Sequence, residues 1–582
     1  MTDSINNNDS TNYITFDSDQ MQVFYVSKEV DSLEYKIGES IWKPLGNSRV
    51  VFGGARGKLF LKGTNDYGAN GSTFLFGTKA KVVCTGDIRT LVDYINYTTA
   101  DTSKANFSCL FKDCKQLVFP PELYSSKLYS GCFQSMFEGC TSLIKAPELP
   151  AEELAVSCYK SMFKECNSLE KAPELPARIM NPQCYSFMFF GCASLKEAPR
   201  LPAVKIANDC YQSMFEGCTS LEGAPELPAK ELDDSCYESM FKDCATLKKA
   251  PKLPATELAH HCYSSMFKGC TSLKKAPKLN ALYLSFSCYS YMFEGCTSLQ
   301  ETPILPAKEM ALCCYGAMFK DCTSLGFARD LRAEILAPYC YRSMFENCIA
   351  LRKAPKLFST FLEMGCYYSM FENCTSLIKA PKLPAVVLDQ FCYSSMFKGC
   401  SSLISAPQLP AEQLDRRCYS SMFMGCTSLK NAPKLPAKEL AEECYYSMFQ
   451  KCTSLKKAPE LPATELEDGC YMRMFADCNS LTEAPHLPAT LLVDDCYHLM
   501  FAGCESLKQV TMLAMDVESE SCLKHWLINT AKLKPGTLYI SDQAKWENEW
   551  KDKKDIISYN WKIKKIVANQ STLCKNDSKK TQ

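Results

Sequence analysis

Residues 254–279 read PATELAHHCYSSMFKGCTSLKKAPKL, and the chain repeats this stretch along most of its length. Its first cysteine, Cys262, recurs every 26 residues from Cys132 to Cys496 without insertion or deletion, which makes fifteen copies. In all fifteen, a second cysteine follows eight residues after the first and a leucine three after that, with a Met-Phe pair between the cysteines, as at Met266, Phe267, Cys270 and Leu273. The consensus is C-Y-x-S-M-F-x-G-C-T-S-L-x-x-A-P-x-L-P-A-x-x-L-x-x-x. A fixed period with invariant apolar columns and variable polar ones marks a stacked array, in which each copy buries its apolar face against its neighbours and cannot fold alone.

Within the quoted copy, Leu258, Cys262, Met266 and Cys270 fall four residues apart, with Tyr263 and Phe267 beside them. This spacing predicts one face of an amphipathic helix. Pro254 suits the helix start, Glu257 its first turn, and Lys268 with Gly269 its end. Residues 271–279 are then short and extended, carrying Leu273, Ala276 and Leu279. The expected fold class is α/β, a solenoid of 26-residue repeats with convex helices and short parallel strands. Thirteen of the fifteen copies place a proline in the extended segment (Pro147, Pro173, Pro251 and equivalents). Proline removes a ladder donor, so strands of only two or three residues are expected.

The ends differ from the repeats. Residues 1–12 form a polar tail. Residues 13–98 carry alternating or β-branched stretches at 13–26, 32–41, 58–62 and 72–84 between Gly and Asn turns, which predicts a small β-rich, sandwich-like domain. A short helix is expected over 87–97. Residues 99–131 hold a degenerate copy with Phe111, Cys114 and Leu117 in register, and serve as an N-terminal cap to the fifteen copies at 132–507. Residues 508–566, with Trp526, Trp546 and Trp561, are expected to cap the other end, and 567–582 is a second polar tail.

With 582 residues the chain is too long for one ordinary core, and 46% hydrophobic with 22% charged residues is globular composition. The 65 basic and 65 acidic side chains cancel, so bulk charge gives no reason to expect nucleic acid or an anionic membrane as partner. No apolar run reaches the ~18 residues of a membrane-spanning helix. The polar start of the chain shows no apolar core of a secretion signal. No nucleophile arrangement, phosphate loop or paired carboxylate stands out from the unbroken repeat, so neither catalysis nor a cofactor is expected.

The 36 cysteines admit three explanations: metal ligands, disulfides or core packing. There is no C-x-x-C, and of five histidines only His260 and His261 are adjacent, which speaks against metal. Two cysteines eight apart on a helix would be separated by about 12 Å, beyond the ~7 Å between Cα atoms that a disulfide spans. Helices of adjacent copies would lie ~8–10 Å apart, against bridges along a column. Free, buried packing thiols are therefore expected, with the Met and aromatic columns as further core.

One surface feature departs from the background. Lys248, Lys249, Lys252, Lys274, Lys275 and Lys278 form one basic cluster flanking the extended segment, and Arg352, Lys353, Lys356, Lys379 and Lys382 form a second. Same-column residues of adjacent copies lie close together, so these could make a stripe that holds a sulfated or sialylated glycan or an acidic protein surface. The plainer reading is that they keep a sheet edge soluble and balance acids such as Glu231, Glu257 and Glu439.

The segment M-F-x-G-C-x-S-L, at Met266, Phe267, Gly269, Cys270, Ser272 and Leu273, resembles the A-F-x-G-C-x-x-L core of BspA-type leucine-rich repeats, over about residues 106–516. This unit is longer, and its A-P-x-L-P stretch stands where the family has a cleaner strand. The resemblance implies a leucine-rich-repeat-like solenoid and a cell-surface or extracellular adhesion role toward protein or glycan partners. It transfers no catalytic residue. The alternative is an intracellular interaction scaffold, favoured by the missing secretion signal and by thiols suited to a reducing compartment. The oligomeric state is not indicated by the sequence.

Overall fold

The segment between the two cysteines of a copy alternates two buried with two outward residues, and its backbone adopts positive φ at every fourth position. In one copy Ser157, Ser161 and Glu165 have φ of 54°, 57° and 61°. A computed structural model describes residues 12–544, 546 and 560–567. The two expected polar tails, apart from Asn12 and Val567, and residues 545 and 547–559 of the expected C-terminal cap lie outside the described residues.

The amides of this segment divide into two sets. Those of Tyr159, Ser161, Phe163 and Glu165 donate to Cys184, Ser186, Met188 and Phe190 of the next copy at 2.7–3.1 Å. Those of Lys160, Met162, Lys164 and Cys166 donate three residues back within their own copy. The result is a ribbon of linked turns, each copy bonded to the next. The expectation of convex helices is thus overturned: among the described residues there is no α-helix. Left-handed backbone costs a non-glycine residue roughly 1–2 kcal/mol, and the regular cross-copy bonding holds it in place. The inward face is nevertheless as expected, since Leu258, Cys262, Met266 and Cys270 are all buried.

The chain divides into two compact units, Met1–Ala281 and Leu282–Gln582. In the first, the rings of Phe111, Phe137, Phe163, Phe189, Phe215, Phe241 and Phe267 stack 5.5–5.7 Å apart and nearly parallel. In the second, a like column runs from Phe293 to Phe501. A tyrosine column from Tyr289 to Tyr497 accompanies it. Copies therefore stack near strand spacing, not at the ~8–10 Å of packed helices. The distance argument against disulfides along a column fails with the helix, yet all the described cysteines are free. The second cysteine of each copy donates its thiol to a phenylalanine carbonyl of the preceding copy, as Cys140 Sγ to Phe111 O at 3.0 Å and Cys374 Sγ to Phe345 O at 3.0 Å. A small, weakly polar donor suits a position that is apolar but for one carbonyl.

Between the ribbons the chain is extended and pairs in parallel with its neighbours, but only in fragments. Single-residue bridges join Lys171, Glu197, Gly223 and Lys249 in turn, and likewise Lys353, Lys379, Ser405 and Asn431. A second ladder contains two-residue pairs. To name strands in chain order, β1 (Ile14–Asp17) to β9 (Leu117–Phe119) belong to the N-terminal region. Then β10 (Lys205–Ile206) pairs with β11 (Glu231–Leu232), and β12 (Phe361–Leu362) with β13 (Val387–Leu388).

Two copies lacking proline show what proline does. Thr511 stands in its place in β15 (Gln509–Met512), which pairs without interruption with β16 (Gly536–Ser541), itself paired to β17 (Trp561–Ile566). On its other side β14 (Glu483–Leu487) contains Pro485, and the register slips there, between Glu483 and His486. In the other such copy Arg329 replaces proline, and its amide donates to Thr302 Oγ1 at 2.9 Å. Trp526 ends the phenylalanine column, tilted 56° against Phe501. Trp546 and Trp561 are buried, their indole N–H groups donating to Ala514 O and Thr530 Oγ1.

At the other end, a six-stranded sheet orders β4 (Lys43–Pro44), β3 (Glu34–Ile37), β6 (Leu59–Lys62), β1, β8 (Val82–Thr85) and β9. A three-stranded sheet orders β5 (Val50–Phe52), β2 (Gln22–Val26) and β7 (Phe74–Phe76). They face each other through Phe16, Phe24 and Phe74. Because β9 lies in the degenerate copy and pairs in parallel with β8, the β-rich region itself covers the first repeat, and Phe74 meets Phe111 edge-on at 5.7 Å. The helix expected over 87–97 is replaced by short 3-10 turns at Ile88–Leu91 and Tyr97–Thr99, the first capped by the Asp87 side chain accepting from the Arg89 amide.

Candidate binding face

Counted from the conserved leucine, the extended segment of most copies exposes its first, second, fifth, ninth and tenth residues. All eleven basic residues singled out above occupy the first, second or fifth position, and all are exposed. The structure brings same-column members side by side: Lys353 and Lys379 are direct bridge partners in adjacent copies. Two such charges in water repel by about 1 kcal/mol, so the stripe is not arranged for stability.

Part of it is neutralised. Lys248 Nζ lies 2.7 Å from Glu222 Oε2, and Lys356 Nζ lies 3.8 Å from Asp330 Oδ2. Among the described residues, none of the other nine has a carboxylate within 4.0 Å. Two of the acids expected to balance the stripe are engaged elsewhere: Glu231 with Lys205 at 3.4 Å, and Glu439 with the Gln413 amide at 3.1 Å.

Reasoning from the sequence missed an apolar column. Ile335, Phe361 and Val387, each the tenth residue after the leucine in three successive copies, are 62%, 53% and 51% exposed. Phe361 and Val387 are paired directly in β12 and β13. The signal was available, because this column is glutamate in other copies, as at Glu153, Glu231 and Glu439. The second unit thus presents unneutralised cations together with exposed branched and aromatic side chains, a combination that suits a macromolecular partner.

The remaining chemistry turns inward. Burial pushes the thiols of Cys114 and Cys192 up to about 12, so their thiolates are scarce at neutral pH and they are not nucleophiles. Among the described residues, no group of three or more His, Cys, Asp or Glu is placed to hold a metal ion. No helix among them is long and apolar enough to cross a membrane.

A family model described as BspA type leucine-rich repeat region (6 copies) matches residues 109–248, 213–352, 341–482 and 390–521. No curated protein matches the chain. A solved structure, titled as the crystal structure of a TLR13–ssRNA13 complex, aligns at 13% identity over 77% of this chain and 54% of that one, with a TM-score of 0.21. This chain spans about half the length of that protein, and a likeness so slight carries no argument.

Proposed function

Since the chain belongs to the BspA-type leucine-rich repeat family, we propose that it is a non-catalytic adhesion protein of the cell surface whose ladder face contacts an anionic partner. The supporting observation is the run of exposed, unneutralised cations in register across adjacent copies, with Lys353 against Lys379. Of the two ligand classes, the exposed Ile335, Phe361 and Val387 column favours an acidic protein surface over a glycan.

Immobilised matrix proteins, acidic proteins and sulfated or sialylated glycans, each titrated with the full chain, test the reading. The variant K353E/K379E/K382E should weaken binding roughly tenfold or more, three reversed charges at a fraction of a kcal/mol to 1 kcal/mol each. A screen without a binder, or unchanged affinity of this variant, removes the stripe from the reading.

A second reading, an intracellular interaction scaffold, draws on the described cysteines, all free and nearly all buried, a state natural in a reducing compartment. Antibody labelling of intact cells separates the two: surface staining supports adhesion, and staining only after permeabilisation supports the scaffold.

A further inference from the structure

A cleft of about 600 Å³ lies where the β-rich region meets the first repeats of the first unit. Its walls come from the turn after β1, from β8, from the residues following β9, and from residues 145–148 of the first complete copy. The volume is within the ~300–1,000 Å³ of ordinary ligand sites, enough for a few residues of a bound chain.

The lining is specific in charge and shape. Asp19, Glu122 and Glu148 stand on it, and among the described residues none has a basic group within 4.0 Å. Asp17 is paired with Lys58 at 3.3 Å, and Lys81 donates to Ser142 Oγ. With Lys81 and Lys145 as its cations against four carboxylates, the lining keeps a net charge of −2. Two aromatic rings on it are partly open to solvent: Phe119 is 37% exposed and Tyr124 is 41% exposed. The Arg89 guanidinium, held by Asp87 at 2.7 Å, lies 5.7 Å from the Tyr124 ring centre, so this ring already stands beside a cation. The Tyr124 phenol is held above its ordinary value, first by Glu122 and then by burial, Glu148 and Asp87. Ser18, only 6% exposed, also lines the cleft, and its hydroxyl has no hydrogen-bond partner in the protein.

We propose that this cleft binds an extended, arginine- or lysine-bearing segment of a partner protein. One basic side chain lies over Phe119 or Tyr124 and pairs with Glu122 and Glu148, and Asp19 takes a second. Pro121 and Pro147 line the cleft with backbone that has no N–H, giving the segment's aliphatic stems an apolar surface. The site does not depend on the ladder stripe, which carries the opposite charge.

The test is fluorescence anisotropy of a labelled peptide, acetyl-Arg-Ala-Arg-Ala-Arg-Ala, titrated with the full chain at low and at physiological salt. Saturable binding is expected, weakening with salt. D19N/E122Q/E148Q, substitutions that keep shape and remove charge, should weaken it about tenfold or more, and Y124A should weaken it measurably. Single carboxamide variants with unchanged thermal unfolding guard against a folding defect in the triple variant. E153Q/E231Q/E257Q, away from the cleft, should bind normally. So should K353E/K379E/K382E, which keeps this result distinct from failure of the ladder reading. Absence of saturable binding, an equal loss in E153Q/E231Q/E257Q, or displacement of the peptide by a neutral hexasaccharide overturns the proposal.

Discussion

Raising the pH should unfold this protein cooperatively from about pH 10, because its core is built of thiols that cannot ionise in place. Burial pushes Cys114, Cys132, Cys192, Cys288, Cys444 and Cys478 from 9.0 to about 12. A thiol that holds its proton longer folded than unfolded means the native state binds more protons between these values. Stability is therefore whole below pH 9 and falls as pH rises from about 9 toward about 12. At pH 10 each such thiol forfeits on the order of 1 kcal/mol, so the three in either compact unit together forfeit a few kcal/mol, a large share of the stability of a typical domain. Three of the six lie in each compact unit, so both are subject to the effect. Buried tyrosines such as Tyr237 and Tyr315, raised by the same burial, act in the same direction. The assay is near-UV circular dichroism of the stacked rings against pH, under reductant, with proton release followed in parallel. Loss of the signal should be steep, near pH 10, with several protons released together. A signal that survives to pH 12, or that fades one proton at a time, refutes a core of buried protonated thiols.

Two local predictions concern the proline positions. T302V leaves the Arg329 amide without the acceptor it has at 2.9 Å and should destabilise the second unit by about 1–3 kcal/mol in urea, while T302S should not; equal stability of the two would show that this hydrogen bond contributes nothing. T511P should make the amides of β15 and β16 exchange with solvent at least tenfold faster, since it restores the residue that interrupts the ladder in other copies. Unchanged exchange would sever proline content from strand length.

The period and the buried columns were legible because a 26-residue step puts identical side chains on top of one another. The helix was a misreading of a four-residue step. An α-helix advances about 100° per residue, so Leu258, Cys262, Met266 and Cys270 would wander about 120° around its axis. Between Leu258 and Cys270 this column never takes the compensating three-residue step. It also signals the alternative directly: the position of Gly139 is glycine in eight copies and aspartate or asparagine in five others, among them Asp243 and Asn347. Those are the residues that tolerate a positive φ. Gly269, taken as a helix stop, is one member of that column, with φ of 73°.

The same register decides which parts of the surface can be deciphered in advance. Ion pairs between copies join residues 26 apart, as Glu170 with Lys196, Glu222 with Lys248 and Arg416 with Glu442, so the neutralised members of a stripe follow from the sequence once the stacking is known. The cleft could not be found this way. It depends on how the β-rich region docks on the first repeat, bringing Asp19 and Glu148 onto one surface from opposite sides of β8 and β9. Within the array, the inward columns are fixed by ring stacking, thiol–carbonyl bonds and left-handed backbone, so variation is confined to the outward positions. A partner lying along the second unit meets at the second ladder position the series Glu301, Phe327, Lys353, Lys379, Ser405, Asn431, Lys457. On the proposed reading, specificity resides in the order of outward residues, one for each copy, so the exchange F327K/K353F should lower binding to the partner of the unaltered chain without shifting thermal unfolding, and unchanged binding would refute it.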